Sequence, residues 1–263
     1  MGHYIKIMKP DIKTIFRSWP KGVCHRGYHD LNRPENGRAA FLKAIENNLP
    51  FECDVHLTKD GEVVVCHDSD LSRVCGQSGI IEELTYPEII QNYTLFDGSV
   101  LITLKELLEL RGEKVGFVLE LKTYEGNGKE LAMAVWPLIE KQDPNKLVLI
   151  SFDPDALRPF KGKDFNLGLL IGQRKDVEFF TRHSHPIHEF DFLDVGVFFL
   201  AHFPMFRKYR RNGGSILCWT VRDEKDYRIS EKFADCPTWE IIRSNEPLEG
   251  QKEDEFLLRK ASE

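Results

Sequence analysis

The 263-residue chain carries 36 Lys and Arg against 42 Asp and Glu, a formal net charge of -6, with 30% charged and 41% hydrophobic residues. These proportions describe an ordinary globular protein with a sizeable core, and the acidic balance argues against non-specific nucleic-acid binding. The length fits one large domain, for which a barrel of about 250 residues is a common solution.

Residues 1–21 read as an N-terminal extension, with a short helix over 11–17 covering the bottom of the domain expected at 22–263. The first twenty residues contain Lys6, Lys9, Asp11, Lys13 and Arg17 and no apolar run of signal-peptide length, so the expected location is the cytoplasm. Nothing later reaches the roughly 18 apolar residues of a membrane-spanning helix. The six cysteines are scattered, without paired metal-ligand spacing, and are expected to be reduced.

Regular alternation begins at residue 23. Residues 23–27 read as a strand and 36–48 as a helix, with Ala39, Ala40, Phe41, Ala44 and Ile45 on one face. Residues 51–58 form a second strand, Lys59-Asp60-Gly61 a hairpin turn, and 62–67 the returning strand. From 68 to 102 the pattern weakens into a connecting segment, and a helix capped by Thr103 follows over 103–110. Strands are then expected at 114–122, 147–152, 167–171, 192–197, 216–221 and 239–244. Helices lie between them, at 130–141 and near 153–160, 176–181, 203–211 and 224–233. Leaving aside the returning hairpin strand, this alternation predicts an α/β fold, a (β/α)8 TIM barrel with a short hairpin and connecting insertion after strand 2. No glycine-rich dinucleotide or P-loop pattern follows the first strand, which weakens an open-sheet alternative.

Chemistry in such barrels lies at the carboxyl ends of the strands. Polar groups collected there are His25 and Arg26, Glu52 and Asp54, His67, and Glu120 with Lys122. Side chains alternate along a strand, so Glu52, Asp54 and His56 share one face, and Glu120 and Lys122 share one face of theirs. A solvated strand face would explain one such pair. Three converging carboxylates instead call for a hard divalent cation, Mg²⁺ or Ca²⁺, because repulsion and lost hydration are both costly. Two histidines beside it suit phosphodiester chemistry, one taking a proton and the other giving one, with Arg26 or Lys122 on the phosphate.

The segments His25-Arg26-Gly27, Pro34-Glu35-Asn36, Glu52-x-Asp54-Val55, Thr58-Lys59-Asp60-Gly61, His67-Asp68 and Glu120-x-Lys122 resemble, in order and spacing, the signature of the glycerophosphodiester phosphodiesterases. The resemblance covers the chain after its N-terminal extension, including Cys218-Trp219-Thr220-Val221 and a closing stretch over 241–247. It implies a (β/α) barrel that cleaves glycerophosphodiesters to sn-glycerol 3-phosphate and an alcohol. It also implies His25 and His67 as the acid–base pair, Glu52, Asp54 and Glu120 as metal ligands, Arg26 and Lys122 as phosphate contacts, and Trp219 in the pocket wall. The route implied is attack of the neighbouring glycerol hydroxyl on phosphorus, then opening of the cyclic phosphate by water. Gly37, Leu101-Ile102 and Arg243-Ser244-Asn245 depart from the family's pattern and bear on the headgroup pocket.

Two other stretches invite functional readings. His183, His185 and His188 read as a solvated loop rather than a metal site, and Arg207-Lys208-Tyr209-Arg210-Arg211 as an exposed helix face. The expected partner is a small phosphodiester, with neither nucleic acid nor stable membrane insertion. A lysophospholipase D on the same fold, or a barrel that binds a phosphodiester without cleaving it, remain the alternatives.

Overall fold

Runs such as Phe117–Leu121 and Leu147–Ser151 are mostly apolar and buried along their whole length, as strands of a parallel sheet covered by helices must be. In the computed structural model, which describes residues 9–182 and 189–240, eight such strands close into a barrel. They are β1 (Val23–Cys24), β2 (Phe51–Leu57), β4 (Phe117–Leu121), β5 (Leu147–Ser151), β6 (Asn166–Ile171), β7 (Phe192–Gly196), β8 (Ile216–Val221) and β9 (Cys236–Trp239). All pair in parallel, and β1 joins both β2 and β9 to complete the circle. The hairpin return β3 (Val63–Val65) lies antiparallel on β2.

Alternation sorts the strand residues into two cores. Outward Phe51, Cys53, Val55, Leu119 and Leu149 pack under helices such as α2 (Arg38–Glu46) and α6 (Gly128–Ile139). Inward Val23, Val118, Val148, Phe192, Leu217 and Cys236 fill the lower barrel together with Ile12, Ile15, Phe16 and Trp19. Those last four come from α1 (Ile12–Arg17) and the turn after it, with Asp11 capping the helix through Thr14. The N-terminal helix is therefore a plug. Gly116 must be glycine because the Trp19 indole lies 2.3 Å from where a Cβ would sit.

Several boundaries differ from the sequence reading. β1 stops at Cys24 because Arg26 and Gly27 take positive φ, 52° and 78°, and turn the chain. The segment expected to be a plain connector carries α3 (Ser72–Cys75), a 3₁₀ turn (Ile81–Glu83) and α4 (Tyr86–Asn92) around its own apolar cluster. Elements that short leave little periodic signal. The helix expected over 203–211 is present, but a further helix absent from the sequence reading, α9 (Val197–His202), precedes it, and Pro204 begins the first turn of α10 (Pro204–Arg211).

The last strand is the largest correction: expected from 239, it is Cys236–Trp239 and begins three residues earlier, while 241–244 lie outside the described residues. Pro237 lacks an N–H and reads as a strand breaker, but the pairing with β8 slips between Cys218 and Val221, and that irregularity accommodates it. Residues 241–247 and His183, His185 and His188 lie outside the described residues. On α10, Lys208 and Arg211 are exposed, while Arg207 and Arg210 are half-buried. Among the described residues, no helix is long and apolar enough to cross a membrane.

Because Phe16 fills the barrel floor at 2% exposure, Phe16→Ala is expected to cost about 3–5 kcal/mol of unfolding free energy in a urea titration. A loss below about 1 kcal/mol would mean that α1 contributes little to the barrel.

Candidate active site

The register of β2 against β4 sets Asp54 directly beside Glu120, with Glu52 two residues earlier on the same inward face. The three carboxylates each offer an oxygen within 4.8 Å of the others, and all three side chains are buried. Lys122 sits above them, its Nζ 2.9 Å from Glu120 and 3.3 Å from Asp54. The positive φ of Arg26 lets its backbone N–H donate to Glu52 (2.9 Å) while its guanidinium reaches Glu35 (2.7 Å) and Asp54 (3.5 Å). Asn36, also at positive φ (55°), donates its amide to Asp54 at 2.9 Å.

The two histidines flank this cluster. His25 is buried at the end of β1, its Nδ1 2.5 Å from Glu240 and its Nε2 4.0 Å from Glu52. His67 follows β3 and holds Asp68 through Nδ1 at 2.5 Å. A cavity of about 40 Å³ joins both histidines to Glu52, Glu120 and Lys122, walled by Ile150, Phe152, Leu170 and Trp219. A wider groove of about 980 Å³ opens outside it, past Arg26 and Glu35 to Arg73, Phe96 and Arg222.

Residues 25–236 match the model of the glycerophosphoryl diester phosphodiesterase family. The chain is 31% identical over 221 residues to a glycerophosphodiester phosphodiesterase of Caldanaerobacter subterraneus subsp. tengcongensis, covering 78% of this chain and 86% of that protein. The chain belongs to the glycerophosphoryl diester phosphodiesterase family. The crystal structure of the Thermotoga maritima glycerophosphodiester phosphodiesterase superposes with a TM-score of 0.67 at 32% identity, covering 82% and 92% of the two chains. A phosphodiesterase of Oleispira antarctica, solved with the product sn-glycerol-3-phosphate, shares the fold at 24% identity, with a TM-score of 0.71 over 86% and 94% of the chains.

In this member of the phosphodiesterase family, the electrostatics are lopsided. Burial would push the Asp54 carboxyl up, but Lys122 and Arg26 outweigh it and hold the group well below the carboxylate range. Burial raises Glu52, aided by Asp54 and Glu120, and pushes Glu120 up to about 7 despite Lys122. Glu52 Oε1 is buried without a hydrogen-bond partner. Three hard-oxygen carboxylates, two of them with a buried oxygen lacking a hydrogen-bond partner, and two carboxyls that resist ionisation fit a divalent cation.

All eight residues singled out in the sequence meet here, with Trp219 in the cavity wall, its Nε1 donating to the Asp194 carbonyl oxygen at 3.3 Å. His56 shares the face of Glu52 and Asp54 but bridges Glu82 (2.7 Å) and the carbonyl oxygen of His67 (3.0 Å) instead. The sequence reading missed Glu240 as the partner of His25 and Asp194 in the cavity lining. Nothing near in sequence marks either one. Asp68 and Asn36 stood inside the quoted motifs and could have been assigned from them.

Glu35 makes a testable contribution to the rim. Burial would raise its carboxyl, but Arg73 and Arg26 hold it down at about 2. A carboxylate held below its unfolded value stabilises the fold above pH 4.5 and loses that contribution as pH falls through about 2. Glu35→Gln is therefore expected to lower unfolding free energy at pH 6, with the deficit shrinking towards pH 2 in denaturant titrations across that range. A deficit independent of pH would contradict this.

Proposed function

We propose that this enzyme hydrolyses glycerophosphodiesters to sn-glycerol 3-phosphate and an alcohol, using one Mg²⁺ or Ca²⁺ on Glu52, Asp54 and Glu120 and a proton-transfer pair, His25 and His67. The observation that carries the reading is the meeting of three buried carboxylates with two imidazoles, each tied through Nδ1 to a carboxylate of its own. A cation bound there would polarise the phosphoryl oxygens and offset the charge that builds on them.

The chain's own groups do the rest. Lys122 and Arg26 face the same space and hold the phosphate, Arg26 with its guanidinium oriented by Glu35. The Nδ1 contacts to Glu240 and Asp68 orient each ring so that Nε2 is the atom free to exchange a proton. Burial pushes His25 down to about 4, so its imidazole is neutral near pH 7 and suited to take the proton of the attacking hydroxyl. His67 is 29% exposed, so it can take up a proton from solvent and deliver it to the leaving alkoxide. The reading places the enzyme in the cytoplasm, where its six free cysteines would stay reduced.

One observation keeps lysophospholipids in view as substrates. Phe96 and Phe198 are 60% exposed and Phe152 is 37% exposed. Exposed aromatic groups of this size suit an acyl chain.

The test is release of glycerol 3-phosphate from glycerophosphocholine and glycerophosphoethanolamine, with Mg²⁺, Ca²⁺ or EDTA. Metal-dependent release is expected, falling by about 10²–10⁴ in His67→Ala with the metal still bound. Asp54→Asn is expected to lose activity together with the metal. Release that survives EDTA, or that His67→Ala leaves intact, would sink the mechanism. Cleavage of lysophospholipids alone would select the lipid-directed enzyme. No cleavage of either, with metal bound, would leave a binding barrel.

A further inference from the structure

Asp194 is a carboxyl that the proposed chemistry leaves unused. It lies on the inward face of β7, two residues above Phe192 of the barrel floor, and lines the cavity that holds both histidines. Its residue is 2% exposed, and Oδ1 has no hydrogen-bond partner. It is not one of the three carboxylates whose oxygens converge. Thr238, on β9, lines the same cavity with its Oγ1 also buried and unpartnered. Two orphaned polar atoms on one small cavity are expensive unless a ligand answers them.

We propose that Asp194, with Thr238 on the same cavity, hydrogen-bonds the terminal, unsubstituted hydroxyl of the substrate's glycerol moiety and so selects glycerophosphodiesters over diesters acylated at that position. This rests on the reading of the site as a glycerophosphodiesterase. With the phosphate held by Arg26 and Lys122 and the middle hydroxyl given to a histidine, the third carbon and its hydroxyl remain to be placed. The cavity that Asp194 lines is the enclosed inner end of the site, about 40 Å³ and shared with both histidines and Lys122, and is too small for an acyl chain. Trp219, on the neighbouring strand β8, and Phe152, ring centroids 5.7 Å apart, line the same cavity. The unpartnered Oδ1 of Asp194 can accept a hydrogen bond from a hydroxyl in either protonation state of the carboxyl.

The experiment compares glycerophosphoethanolamine with its analogue in which the terminal hydroxyl is replaced by hydrogen, a propane-1,2-diol phosphodiester. The wild-type protein is expected to prefer the glycerol compound by about 10- to 100-fold in kcat/KM. Asp194→Leu keeps the shape and removes the hydrogen bond. It is expected to bring the two substrates within about 3-fold by losing activity on the glycerol compound, while Asp194→Asn keeps most of the preference. Equal loss on both substrates in Asp194→Leu, no preference in the wild type, or equal turnover of lysophosphatidylethanolamine would overturn the assignment. Should neither diester be cleaved, the activity reading fails by itself. The affinities of the same three proteins for glycerol 3-phosphate and propane-1,2-diol phosphate, measured calorimetrically with Mg²⁺, then decide about Asp194, and equal wild-type affinities would overturn it.

Discussion

Two cations, Arg26 and Lys122, face three carboxylates inside a closed barrel, and the surplus of negative charge governs the rest of the site. Asp54 alone of the three lies within reach of both cations' side chains, and it stays ionised. Glu52 and Glu120, left with less, hold their protons against a low-dielectric surrounding. The arrangement is one proton exchange away from being a cation site: exchanging those protons for a divalent ion neutralises the surplus and satisfies the orphaned Glu52 oxygen.

The fold supplies the rigidity this imbalance needs. α1 plugs the lower barrel with Ile12, Ile15 and Phe16, so the carboxylates stand on a packed apolar floor rather than on water. Left-handed turns at Arg26 and Asn36 bring a backbone N–H and a side-chain amide to Glu52 and Asp54 from the loop after β1. The hairpin strand β3 carries His67 to the rim, and His56 ties it down by binding the carbonyl oxygen of His67. Each catalytic candidate is thus held by a second polar group, which fixes orientation at the cost of little mobility.

Much of this was legible in the sequence. Period-two alternation put Glu52 with Asp54 and Glu120 with Lys122, and the repeated strand-helix pattern gave the barrel. What escaped depends on contacts that no local pattern records. Glu240 meets His25 across 215 positions because β9 closes the barrel against β1. The final strand includes Pro237, a residue that lacks an N–H, and its pairing with β8 carries an irregularity that only the folded sheet reveals. Asp194 sits in a hydrophobic run, Phe192–Gly196, where a single carboxylate gives no sign of which wall of the barrel it faces. The segment between β3 and α5 (Leu104–Arg111) builds a satellite core from helices too short to show a period.

The central claim is that the carboxylate cluster exchanges protons for one divalent cation. The most direct measurement is calorimetric titration of Mg²⁺ and of Ca²⁺ into the protein near pH 6.5, repeated in two buffers of different ionisation enthalpy. The expected result is saturable binding of one ion per chain with net release of protons, as Glu120, held up at about 7, and Glu52 ionise. Absence of saturable binding, or binding with no proton released, would contradict the account.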